Sequence, residues 1–148
     1  MEEPTREQVR LPISNTELER RWSETRREMA SKGIDALIMQ GNNEWLGGYV
    51  RYFTDQPAEH AYPITVIFPA NDEMTVLASG PKTRTPLPPS PIDRGIKTRV
   101  TLPYFLSLNY TNTMDAEAVV ATIKTTGDKK VGLVGRAFMS VVFYLYFK

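Results

Sequence analysis

Few residues of this chain have types and spacings that suit chemistry. Asp55, Glu59 and His60 form the one cluster that combines carboxylates with an imidazole, a set that hard divalent cations accept. A catalytic zinc site ordinarily draws on three protein ligands and often on several histidines, whereas the sequence holds a single His. The three residues are therefore expected in a solvated loop between strands. A Ser-His-Asp arrangement would have to use the same His60, and no Gly-x-Ser-x-Gly elbow is present. Ser79-Gly80 reads as a turn. Gly132-Leu133-Val134-Gly135, preceded by Lys129 and Lys130, suggests a phosphate loop but lacks both the Gly-x-Gly-x-x-Gly spacing and the Gly-Lys-Ser/Thr ending. Strand-end glycines explain it better, and nucleotide binding rests only on analogy with other α/β sheets. The run Tyr49-Val50-Arg51-Tyr52-Phe53 mixes rings and charge as a nucleic-acid stacking platform does, but its expected form is a strand edge with packed rings.

The elements that would position these residues can be read from the rest of the chain. The 148 residues suit one domain, and 41% hydrophobic residues suffice for one core. Lys and Arg number 18 against 17 Asp and Glu, so no overall field draws the protein to nucleic acid or to an anionic membrane. The absence of cysteine excludes disulfides, thiolate metal sites and a cysteine nucleophile, and it suits a reducing, cytoplasmic setting. No basic-then-apolar leader opens the sequence. The longest apolar-rich run, 137–147, is about half of the roughly 20 residues that a membrane-spanning helix needs.

Residues 1–13, with Pro4 and Pro12, read as an arm, and 14–148 as the domain. Ser14 and Glu17 fit a capping box, with Leu18, Trp22, Thr25 and Met29 at helical spacing and Gly33 as the stop. Residues 34–40 predict a strand covered on both faces. Asn42 and Asn43 could cap a short helix that Gly47-Gly48 would break. Segments 62–69 and 73–79, joined by Ala70-Asn71-Asp72, predict an antiparallel hairpin. Pro81, Pro86, Pro88, Pro89 and Pro91 mark a surface loop. A strand over 99–104, a helix from Thr113 with Ala116, Val119, Val120 and Ile123 on its apolar face and Gly127 at its end, and a strand over 130–134 follow. Residues 137–148 read as the opening of another helix, too apolar for a solvated terminus. Alternating strands and helices predict an α/β domain.

Gly33-Ile34-Asp35-Ala36-Leu37 after a charged helix, followed by Asn42-Asn43-Glu44-Trp45-Leu46-Gly47-Gly48-Tyr49, resembles the amino-terminal domain of the creatinase, prolidase and aminopeptidase P family. The resemblance covers about residues 15–148. It implies a three-layer α/β domain of ribonuclease H-like fold, a mixed β-sheet flanked by helices. It also implies that this domain is not catalytic and that none of its residues holds metal. The divalent metal pair (Mn, Co or Zn) would belong to a carboxy-terminal pita-bread domain absent from this chain, which is expected to end before it. In that family the loop after the Leu-x-Gly turn narrows the active site of the neighbouring subunit. By position Arg51, Tyr52 and Phe53 match that segment, and His60 lies in the extension that follows. The implied partners are further copies of the chain and the catalytic domain. A free-standing ligand-binding or interaction module that keeps the fold without the hydrolase is the alternative.

Overall fold

The computed structural model describes residues 12–41, 48–57, 62–80, 93–103 and 113–147. The first helix, α1 (Asn15–Lys32), begins where expected: the Ser14 hydroxyl accepts a hydrogen bond from the Glu17 backbone N–H at 3.2 Å. The Glu17 carboxylate binds Arg20 and Arg21, each at 2.8 Å. Leu18 and Met29 are buried, and Trp22 and Thr25 lie half-buried between them. Gly33 ends the helix in the left-handed region, with its N–H on the Ala30 carbonyl and the Ile34 N–H on that of Met29, so the last turn leaves few carbonyls without donors.

Asp35 then joins three strands. Its carboxylate accepts the backbone N–H groups of Lys129 and Lys130 at 2.9 and 2.8 Å, its own N–H donates to the Lys130 carbonyl, and its carbonyl accepts from the Ala70 N–H. The Lys130 and Lys129 amides hold this carboxyl below the ordinary aspartate range. The Gly-Ile-Asp-Ala-Leu junction thus has a physical content: Gly33 turns the chain, and Asp35 ties together the strands that follow.

Five strands form one mixed sheet: β1 (Ala36–Gly41), β2 (Ile64–Pro69), β3 (Met74–Ser79), β4 (Ile96–Leu102) and β5 (Val131–Val134), in the order β4-β3-β2-β1-β5. β1, β2 and β3 form an antiparallel meander, whereas β4 runs parallel to β3 and β5 parallel to β1. The expected hairpin is present between β2 and β3. Asp72 accepts the Glu73 N–H within its turn, and Arg26 reaches from α1 to donate to the Asp72 carbonyl at 2.6 Å while lying over the Phe68 ring.

The period-two alternation of strands assigns the core to two faces. Met39, Val66, Phe68 and Val76 pack with Met29 of α1 and with Val50 and Phe53 of the short helix α2 (Tyr49–Thr54). Ile38, Ile67 and Leu77 pack on the other face with Ala116 and Val119 of α3 (Met114–Thr126) and with Met139 and Phe143 around α4 (Val141–Tyr146). The described residues are therefore an α/β unit with helices on both faces of a mixed sheet.

Three expectations need correction. Residues 49–53 are helical rather than a strand edge, for reasons given below. The fourth strand begins at Ile96 rather than at Arg99, paired along β3 as far as Leu102. Thr113 precedes α3, but its hydroxyl bonds the Glu117 side chain instead of capping a backbone amide. The expectations for the arm up to residue 11, for Asn42, Asn43 and Gly47, for Tyr104 and for the proline loop lie outside the described residues.

Candidate functional site

Helix α2 carries Arg51, Tyr52 and Phe53, and at six residues it is far below the roughly 12–15 at which an isolated helix becomes marginally stable. Its last-turn carbonyls would ordinarily lack donors. Three of them have one: the Asp55 N–H donates to the Arg51 carbonyl at 2.8 Å, the Arg21 guanidinium to that of Tyr52 at 3.2 Å, and the Trp22 indole to that of Phe53 at 2.9 Å, while the Thr54 hydroxyl reaches back to the Val50 carbonyl at 2.7 Å. Two of these donors come from α1, so the charged helix acts as the cap of the short one. Glycines permit the fit. A Cβ on Gly95 would stand 2.5 Å from the Trp22 ring and one on Gly135 2.1 Å from the Tyr49 ring, and both backbones have positive φ.

Within this helix the three candidates separate. Phe53 is 5% exposed and packs its ring on Phe68 at 4.8 Å, inside the core. Tyr52 is 43% exposed, with the Arg21 guanidinium 4.5 Å from its ring centroid. Arg51 is exposed on the same short helix. The exposed side of α1–α2 thus presents an aromatic ring backed by the Arg21 guanidinium, with Arg51 exposed at the preceding position of α2. His60 and Glu59 lie outside the described residues.

Asp55, the remaining member of the carboxylate-imidazole cluster, corrects the expectation of a solvated loop, because its carboxylate is buried and committed elsewhere. It sits at positive φ just after α2, the only non-glycine residue so placed among the described residues, and it is buried. Its Oδ2 accepts from Arg94 at 2.6 Å and from the Ile13 N–H at 3.0 Å, and Arg94 also donates to the Ile13 carbonyl and to Asn15. Next to it Asp93 is buried under Arg99, which grips both carboxylate oxygens, and accepts from Gln56 at 3.0 Å. This paired network fixes the end of α2 against the segment before β4. It was invisible in the sequence because Asp93-Arg94 follows directly on the proline-rich stretch and reads as more loop. Among the described residues no group of three or more His, Cys, Asp or Glu side chains could hold a metal.

A second polar group lies on the opposite face. The Gln40 amide, at the end of β1, donates to the Thr65 hydroxyl at 3.1 Å and to the Asp115 carboxylate at 3.2 Å. Burial pushes the Asp115 carboxyl up to about 6, despite its place in the first turn of α3, where the helix dipole favours a charge. The one signal for it was Gln40 itself, a polar residue closing an apolar strand. A groove of about 360 Å³ lies between α3 and strands β2–β4, floored by Ile67 and Val100. Two of its three lining carboxylates, beside Glu73, are engaged, Asp72 by Lys97 at 2.7 Å and Asp128 by Thr126.

The Gly132–Gly135 segment is strand β5 and the turn after it. A Cβ on Gly132 would press against Leu37 at 2.8 Å, and Gly135 yields to Tyr49, so both glycines serve packing. No helix among the described residues is long and apolar enough to cross a membrane. Comparison of the sequence with known protein families and with curated proteins finds no match.

Proposed function

We propose that this chain is the non-catalytic amino-terminal domain of a metal-dependent Xaa-Pro peptidase or creatinase-like hydrolase. In this reading the fold is of the ribonuclease H type, supported by the β1–β3 meander with β5 added parallel beside β1. The metal pair belongs to a separate catalytic domain. The α1–α2 face contributes to a homo-oligomer and to the wall of the neighbouring subunit's active-site mouth.

The observation that carries the reading is the division of labour on α2. Phe53 anchors the helix in the core, α1 donates to the Tyr52 and Phe53 carbonyls, and the side chains of Tyr52 and Arg51 are exposed on a rigid support. A wall near a reacting centre needs that rigidity, because selectivity is lost when its side chains drift by an ångström. A guanidinium beside a ring suits the carboxylate or carbonyl end of a short substrate.

The first test is turnover of Xaa-Pro dipeptides by the isolated chain with Mn²⁺, Co²⁺ or Zn²⁺. None is expected, and measurable turnover would overturn the non-catalytic reading. The second uses a protein in which this domain is joined to its catalytic partner: Tyr52→Ala and Arg51→Ala should change KM or selectivity while leaving the metal content unaltered. Unchanged kinetics would remove the role of this face. A free-standing interaction module is the second reading, favoured by the apolar side chains that α4 exposes.

A further inference from the structure

Two buried carboxylates of the α1–α2 face, Asp55 and Asp93, each lie under an arginine. Asp115, half-buried on the other face, has a neutral partner instead: Nε2 of Gln40 at 3.2 Å. Gln40 is itself buried at the end of β1 and gives its other amide hydrogen to Thr65, at the start of β2. A carboxyl and an amide thus tie the first turn of α3 to two central strands.

The elements packed against α3 bring no charge to this contact. β1, β2, β3 and α4 contain no Asp, Glu, Lys, Arg or His. The basic residues of β4 are engaged elsewhere, Lys97 by Asp72 and Arg99 by Asp93, and Arg136 before α4 lies over the Tyr144 ring. On α3 itself Glu117 is bonded to the Thr113 hydroxyl, and Lys124 stands in the last turn. Burial therefore acts on Asp115 without an opposing cation, and the uncharged carboxyl is the form the contact favours.

We propose that Asp115 is a proton-operated latch: uncharged, it stays on Gln40 and seats the first turn of α3 against β1 and β2; ionised, it leaves for water and lets that turn loosen. The turn has little else to hold it. Ala116 alone of its residues is fully buried, and Thr113 supplies no side-chain cap. Val119, Val120, Thr122, Ile123, Thr125 and Thr126 are β-branched, so α3 depends on docking more than on its own helix propensity. Because burial holds the carboxyl at about 6, above the ordinary 3.8, the closed form is full in acid and is lost as the pH rises through about 6. This inference stands on the α3 contact alone and does not depend on the hydrolase reading.

The test is a titration of the 148-residue chain between about pH 4.5 and pH 7.5, followed by NMR of the Gln40 side-chain amide and of the backbone at Ala116, Glu117 and Ala118. The Gln40 amide should shift with a midpoint near 6, and the same midpoint should carry the first turn from helical toward coil shifts, the ratio of closed to open turn falling about fivefold. The backbone of α1 should not move. Asp115→Asn should abolish both changes and keep the turn closed throughout. The single histidine titrates in the same range, so the changes should persist in His60→Gln. A Gln40 shift with the turn unmoved, no transition at all, a transition that survives Asp115→Asn or vanishes in His60→Gln, or an equal change in α1 would each overturn the proposal.

Discussion

The two faces of the sheet carry clusters of similar size but differ in how they treat polar groups and solvent. On the α1–α2 face the Arg51, Tyr52 and Phe53 carbonyls at the end of α2 have donors, the buried carboxylates of Asp55 and Asp93 are each met by an arginine, and Phe53 locks the helix down. On the α3–α4 face Asp115 is met by a single amide at 3.2 Å, and α4 turns Val141 and Leu145 to solvent. One face spends its polar chemistry on its own architecture and leaves the Tyr52 ring exposed under Arg21. The other leaves its apolar surface unspent.

Mutations can break or sharpen this contrast. The largest effect belongs to Phe53→Ala, a full truncation in the closed face, which should cost about 3–5 kcal/mol in urea unfolding. Arg94→Met strands a buried Asp55 carboxylate and should cost about 2–4 kcal/mol, and adding Asp55→Asn should recover part of the loss. Equal losses from the single and the double variant would show that the pair is not what closes this face.

Asp115→Asn should have the opposite sign. The folded pKa of about 6 lies above the ordinary 3.8, so the native state holds the proton more tightly than the unfolded chain. The stability this gives is full below the ordinary value and is lost as the pH rises through about 6. The variant should therefore be more stable above pH 6 by about 1 kcal/mol, a figure reduced for the partial exposure of the group, with the gain fading toward pH 4. A gain that does not vary with pH would assign it to packing instead. Tyr52→Ala, which removes an exposed ring under Arg21, should cost about 0.5–1 kcal/mol. Leu145→Lys should change thermal stability by less than about 0.5 kcal/mol. A loss comparable to that of Phe53→Ala would mean that α4 is as closed as α2.

Much of the architecture was legible where one local rule sufficed. Ser14, Gly33 and the Ala70–Asp72 turn set their elements by capping and turn chemistry alone. The continuous apolar run of β1 announced a strand covered on both faces, and Gly127 ended α3 by its left-handed backbone. What failed to show was whatever depends on residues far apart in sequence. Tyr49–Phe53 has the β-branched and aromatic composition of a strand, and its helix exists because Arg21 and Trp22, some thirty positions earlier, accept the task of capping it. Asp55–Arg94 and Gln40–Asp115 pair across 39 and 75 positions, and neither partner announces the other. The candidate site was legible as a segment but not residue by residue: the sequence could not tell that Phe53 faces inward while Tyr52 faces out.

Asp35 has a consequence for the order in which the molecule assembles. Its carboxylate waits for amides 94 and 95 positions downstream, whereas the β1–β3 meander closes within a few dozen residues. During synthesis the hairpin can therefore form while residues 129 and 130 are still inside the ribosome, and β1 keeps one side unpaired until they emerge. β5 adds to the edge of β1 after the meander, and a nascent chain released before it would display that unpaired edge to its neighbours.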